Sequence, residues 1–160
     1  WHISSSDSTY DFLFKNNVKV GKGALPSISS SIIADPSIAN AQTPYSHINQ
    51  DNEKEKIFEE VRLNHFSGLP SRLKSLYVFD DYSLVERALS EWFQGESRQV
   101  YECHVLTNAV VHKADTFWLN AGSAGWRDAA GKYWSGEASS SYFPEILVHG
   151  ALYFPNWENL

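Results

Sequence analysis

Glu145-Ile146-Leu147-Val148-His149-Gly150 reads as a buried β-strand that opens on a carboxylate. Pro144 stands just ahead of it, where a missing N–H is tolerated at a strand's first residue. Apolar and aromatic residues continue from Ala151 to Phe154, so the closing strand is expected over Glu145 to Phe154. An acid at the mouth of a rigid strand is held more firmly than one on a loop, which makes Glu145 a candidate for catalytic charge. Taken alone, a solvated strand end is the simpler account of Glu145. The residues upstream change that balance.

At 160 residues the chain has the length of one domain, and its 42% hydrophobic content is that of a globular protein. Trp 6, Tyr 8 and Phe 9 supply rings for stacking on a base, sugar or nicotinamide, although most must serve the core. The formal charge of −6 argues against broad electrostatic capture of nucleic acid. Cys103 is the single cysteine, which excludes an internal disulfide, and its apolar context reads as a buried, inert thiol. No apolar run approaches the ~18 residues of a membrane helix, so no membrane partner is expected. The chain opens at Trp1 and contains no methionine, so residues ahead of Trp1 are expected.

In chain order, Trp1 to Ser4 is a short strand, Ser5 to Ser8 a turn, and Phe12 to Val20 is read as including a strand that stops at Gly21-Lys22-Gly23. Leu25 to Asn52 shifts to Ser, Ala, Asn, Pro and Gln without a sustained period and reads as a long loop with room for one helical turn. Asp51 to His65 is a helix, with Glu53 and Glu55 near its start and Ile57, Phe58, Val61 and Phe66 as its apolar stripe. Ser75 to Phe79 is a strand, Ser83 to Phe93 a second helix, and Arg98 to Leu106 a further strand. Ala109 to Leu119 is of undecided type, and Ala121 to Ser141, rich in Gly, Ser and Ala, reads as a loop with a short strand. With no internal repeat and no linker, residues 1–160 read as one α+β domain.

The six histidines, at 2, 47, 65, 104, 112 and 149, lack metal-site spacing, and no Walker A, GxGxxG or GxSxG motif occurs. No metal ligand is assigned. What remains is His2 in the first strand, Tyr77 in a strand just after Arg72 and Lys74, and Glu145 at the head of the last strand.

In that order these residues resemble the ADP-ribosyltransferase superfamily, in the His–Tyr–Glu branch of diphtheria-toxin-like and poly-ADP-ribose-polymerase-like enzymes. Trp1-His2-Ile3-Ser4 is similar to the branch's opening Tyr-His-Gly motif, with Trp1 for the Tyr and Ile3 for the Gly. Ser75 to Phe79 and the helix after it resemble the branch's tyrosine-bearing unit, and Glu145-Ile146-Leu147-Val148 its closing Glu-Tyr-Ile-Val. The section Phe58 to Leu106 is also similar to a little-characterised bacterial family of this fold, through Pro70-Ser71-Arg72, Ser75 to Phe79 and Val100-Tyr101-Glu102.

The resemblance implies a split β-sheet core with flanking helices and an enzyme that transfers ADP-ribose from NAD to a protein or nucleic-acid acceptor, releasing nicotinamide. It implies a bacterial or phage toxin or effector that acts in the producing cell or is delivered by separate machinery, with an antitoxin or immunity protein as a further partner. Glu145 would stabilise the oxocarbenium-like ribose. His2 would bond the adenosine ribose, the Ile3 backbone the nicotinamide amide, Tyr77 would stack on the nicotinamide, and Arg72 would bind the pyrophosphate. Glu137 and Glu102 are rival acids. The reading from another class is a non-catalytic α+β module that binds a sugar, nucleotide or partner protein through exposed aromatics such as Trp126, Trp134 and Trp157.

Overall fold

Two breaks in otherwise continuous strands divide the sheet and govern which way each candidate side chain faces. The computed structural model describes residues 1–43 and 52–160. Its elements are β1 (His2–Ile3), α1 (Ser8–Val20), β2 (Ala24–Pro26), α2 (Ile28–Ala34), α3 (Asn52–His65), β3 (Leu76–Val78) and α4 (Tyr82–Glu91). They continue with β4 (Val100–Tyr101), β5 (His104–Val105), β6 (Val110–Asp115), α5 (Trp126–Ser135), β7 (Pro144–His149) and β8 (Ala151–Tyr153). Helices pack with antiparallel sheets, and the fold is α+β.

Strand β7 is the centre of one sheet, flanked by β3 and β6. Trp1 and Phe79 exchange two backbone hydrogen bonds, which brings β1 alongside β3, and β1 pairs onward with β4. A second sheet runs β2-β8-β5. The chain crosses between the sheets at Glu102-Cys103, between β4 and β5, and at Gly150, between β7 and β8. A Cβ on Gly150 would lie 2.5 Å from the Cβ of Ala109, so glycine permits this crossing.

The pleat of β7 sorts the core. Leu147 faces Phe58 and Val61 of α3 and Ala129, Ala130, Tyr133 and Trp134 of α5, with Tyr77 packed against the same cluster. Val148 and Ile146 face the other way, with Val78, towards Val18 of α1 and Leu152 and Phe154. Glu145 lies two residues before Leu147 and therefore shares the face covered by α3 and α5.

Four expectations are corrected. Phe12 to Val20 is helix, because Asp7 accepts from the N–H groups of Thr9 and Tyr10 and starts α1 at Ser8. Within Leu25 to Asn52, β2 pairs with β8, and Ser27 caps the seven-residue α2; residues 44–51 lie outside the described residues. Ala121 to Ser141 contains α5, whose Gly136 closes the helix in the left-handed conformation at φ 75°. The strands expected over Arg98 to Leu106 and Glu145 to Phe154 are each two strands in different sheets. The span of undecided type is β6 followed by a 3₁₀ turn, Thr116–Asn120.

Candidate functional site

Glu145 is fixed by the elements on either side of it. Asp115, opposite Pro144 in the register, is buried and accepts backbone N–H bonds from Phe117 at 3.0 Å, Ser139 at 2.7 Å and Phe143 at 3.0 Å. Burial by itself raises the pKa of that carboxyl, but these bonds outweigh it and hold it below the ordinary range. The segment leading into Glu145 is thereby tied to β6.

On the sheet face under α3 and α5, Glu145 is 7% exposed and Arg72 is 1% exposed. The Arg72 guanidinium divides its fork. Nε and Nη2 donate to the two carboxylate oxygens of Glu55 at 3.1 and 3.3 Å, while Nη1 donates to Glu145 Oε1 and, at 2.8 Å, to the Tyr133 hydroxyl oxygen. That hydroxyl donates in turn to the same Glu145 Oε1 at 2.7 Å. Burial, the first cause, raises the Tyr133 pKa well above its ordinary value, so the phenol keeps the proton it donates. Oε1 takes both bonds, and among the described residues Oε2 has no hydrogen-bond partner. One oxygen of the carboxylate is clamped and the other is available.

Tyr77 belongs to the same assembly. Its hydroxyl donates to the backbone carbonyl of Arg72, and its ring centroid lies 5.7 Å from the Arg72 guanidinium carbon. The Tyr133 ring lies 5.1 Å from that carbon. His112, paired with Leu147 across the β6–β7 ladder, donates through Nε2 to the Tyr133 carbonyl at 3.1 Å and stacks on Trp134. Desolvation lowers its pKa, so that donor is the neutral imidazole with its proton on Nε2.

The structure thus brings Arg72, Tyr77 and Glu145 together and does not bring His2 with them. The His2 ring stacks on Phe14 at 5.0 Å and meets Phe154 edge-on at 6.1 Å, on the opposite face of β3. Its tie to the others is Nδ1, 3.1 Å from the Tyr77 carbonyl oxygen. Burial lowers its pKa more than this bond raises it. Ile3 pairs with Val100, and its side chain joins Phe79, Val85 and Phe143 in a third cluster. Arg72 points inward to carboxylates, in place of the solvent-facing position that a pyrophosphate ligand requires.

The rival acids are elsewhere. Glu137 is exposed just beyond the C-terminal cap of α5. Glu102 is exposed at the crossing between the sheets, 3.3 Å from His104 Nε2. It lines a groove of about 280 Å³ whose walls include Trp1, Val78, Phe79, Cys103 and Ile146. Burial pushes the Cys103 thiol pKa up.

Reasoning from the sequence missed Glu55, His112 and Tyr133. Glu55 had a signal, because it lies three residues before Phe58 on the buried stripe of α3, where a carboxylate requires a partner. His112 had one as well, alternating with Ala114 between Val111 and Lys113. Tyr133 had none while its helix was read as a loop.

Residues 33–155 match the model of a family described as a protein of unknown function (DUF2441). The chain belongs to this family. The matched span takes in Glu55, Arg72, Tyr77, Tyr133 and Glu145 and begins after His2 and Ile3. No curated protein matches the chain. No helix among the described residues is long and apolar enough to cross a membrane.

Proposed function

We propose that this protein is an NAD-dependent ADP-ribosyltransferase, a bacterial or phage toxin or effector that passes ADP-ribose to a protein or nucleic-acid acceptor. The observation that carries the reading is the asymmetry of Glu145: Oε1 is clamped by Arg72 and Tyr133, and Oε2 has no hydrogen-bond partner among the described residues. A carboxylate that serves only the fold gains by bonding both oxygens, whereas a preorganised catalytic one keeps an oxygen for the reacting group. The split sheet accords with the resemblance, and the motif residues His2, Tyr77 and Glu145 lie on three adjacent strands.

In this reading the bond between C1′ of the ribose and the nicotinamide nitrogen breaks, and nicotinamide leaves with the electron pair. Glu145 Oε2 stabilises the positive charge left on the ribose and accepts a bond from its 2′-hydroxyl. The acceptor attacks C1′, and its proton passes to Glu145 Oε2 and on to water. Tyr77 offers its ring to the nicotinamide. Arg72 and His2 take different parts from those expected of them: Arg72 orients Glu145, and His2 supports the strand that carries Tyr77 through the Tyr77 carbonyl.

The test is release of nicotinamide from labelled NAD by the wild type and by Glu145→Gln. Release by the wild type and a loss of about a hundredfold or more in the variant is the expected result. Equal release by the two proteins refutes the role of Glu145.

A second reading, a non-catalytic binding module, is favoured by the burial of Glu145 and by His2 lying on the other face. Its surface differs from the one expected. Trp134 is core, donating to the Phe58 carbonyl at 2.7 Å, and Trp126 and Trp157 are only partly exposed. Among the described residues the open aromatics are Phe12, Tyr82, Trp92, Phe117 and Tyr142. A wild-type protein that does not bind NAD by calorimetry supports this second reading.

A further inference from the structure

We infer that Tyr133 and Glu55 are positioning residues for Glu145, acting from two helices on the two ends of the Arg72 guanidinium. The inference rests on the reading of Glu145 as the acid of an ADP-ribosyl transfer.

A guanidinium is planar, so two of its edges set the direction of the third. Glu55 takes the Nε–Nη2 edge in a fork at 3.1 and 3.3 Å, and this aims Nη1 across the sheet face at Glu145. Tyr133 closes the triangle. Its hydroxyl accepts from Nη1 at 2.8 Å and donates to Oε1 at 2.7 Å, so a single oxygen fixes the arginine and the carboxylate relative to each other. The ring has little freedom to carry that oxygen elsewhere. It meets Phe58 edge-on at 5.6 Å and Trp134 at 4.8 Å, and the Tyr133 backbone is held to β6 by His112. Strands β6 and β7 and helices α3 and α5 therefore converge on one carboxylate oxygen.

The consequence is directional. Without the tyrosine hydroxyl, Arg72 still meets Glu145, but that one bond to Oε1 holds the carboxylate less firmly about its terminal torsion, and Oε2 loses aim. Binding of NAD through contacts elsewhere remains, and the transition-state interaction weakens. The effect therefore falls on kcat and not on KM.

The experiment compares wild type, Tyr133→Phe and Glu55→Gln in nicotinamide release from labelled NAD, with kcat and KM measured separately and the thermal midpoint of each protein taken beside them. Tyr133→Phe keeps the ring and its packing. The expected result is a fall of about ten- to a hundredfold in kcat, with KM changed less than about threefold. Glu55→Gln, which keeps the side-chain shape but removes the charge and one of the two acceptors of the fork, is expected to follow in the same direction. Wild-type turnover that persists in both variants overturns the positioning role and leaves the functional reading standing. A wild type with no turnover overturns the functional reading and the positioning role with it. A fall in kcat that only tracks a lowered thermal midpoint also overturns the positioning role, since loss of fold alone produces it.

Discussion

Replacing Arg72 by methionine keeps most of the side-chain volume and removes the positive charge that Glu55 and Glu145 share across α3 and β7. Both carboxylates are less than 10% exposed, and the guanidinium between them is 1% exposed. Breaking a buried ion pair by deleting one partner costs about 3–5 kcal/mol, because the charge left behind is desolvated without compensation. Here two charges are left, and they repel each other, so the upper half of that range is expected. With 160 residues and an unfolding entropy of about 2.1 cal/mol/K per residue, the denominator is about 0.34 kcal/mol/K. The thermal midpoint of Arg72→Met should then fall by about 12–15 °C, followed by far-ultraviolet circular dichroism and by urea unfolding read from tryptophan fluorescence. The loss should persist in high salt, since a buried pair is poorly screened. Restoring neutrality in the triple variant Glu55→Gln, Arg72→Met, Glu145→Gln should recover part of it. A loss below about 1 kcal/mol for Arg72→Met, the range of exposed pairs, would refute the account of this cluster as buried and mutually dependent.

Gly150→Ala should cost about 1–3 kcal/mol in urea unfolding through overpacking, since the new Cβ would sit 2.5 Å from that of Ala109. Ala109→Gly in the same chain should return part of the loss by removing the side-chain contact; no recovery would mean that the backbone, through its angle at residue 150 or the Cα of residue 109 at 2.8 Å, requires glycine. For pH, His112 has its pKa lowered by burial, with the Tyr133 bond and the Glu145 charge opposing that in part. Its unfolded state therefore binds the extra proton first, so its contribution is complete above its unfolded value of 6.5 and is lost as pH falls through the interval below it. Stability should drop by up to about 1.4 kcal/mol per pH unit there on account of this residue, and His112→Gln should flatten the profile; an unchanged slope would show that His112 does not carry it.

The amino-acid order by itself determined the elements with strong local signals. Helices α3 and α4 and strand β3 were legible because their apolar residues repeat at the helical or strand period and Asp, Ser, Gly and Pro punctuate their ends. Glu145 was legible as a carboxylate heading an apolar strand, and Arg72 and Tyr77 stood out by their local motifs. Helix α5 was not, since its packing residues Ala129, Ala130, Tyr133 and Trp134 stand among glycines and serines, and tertiary contact supplies what propensity lacks. Nor were the two crossings, because a break at Glu102-Cys103 or Gly150 arises only when two halves of one apolar run find different partner strands. The face assignments lay beyond the sequence for the same reason. A strand alternates its side chains, but which alternate set meets α3 and α5 and which meets α1 is settled by packing between elements far apart in the chain. That choice put Glu145 with Arg72 and turned His2 to the other side.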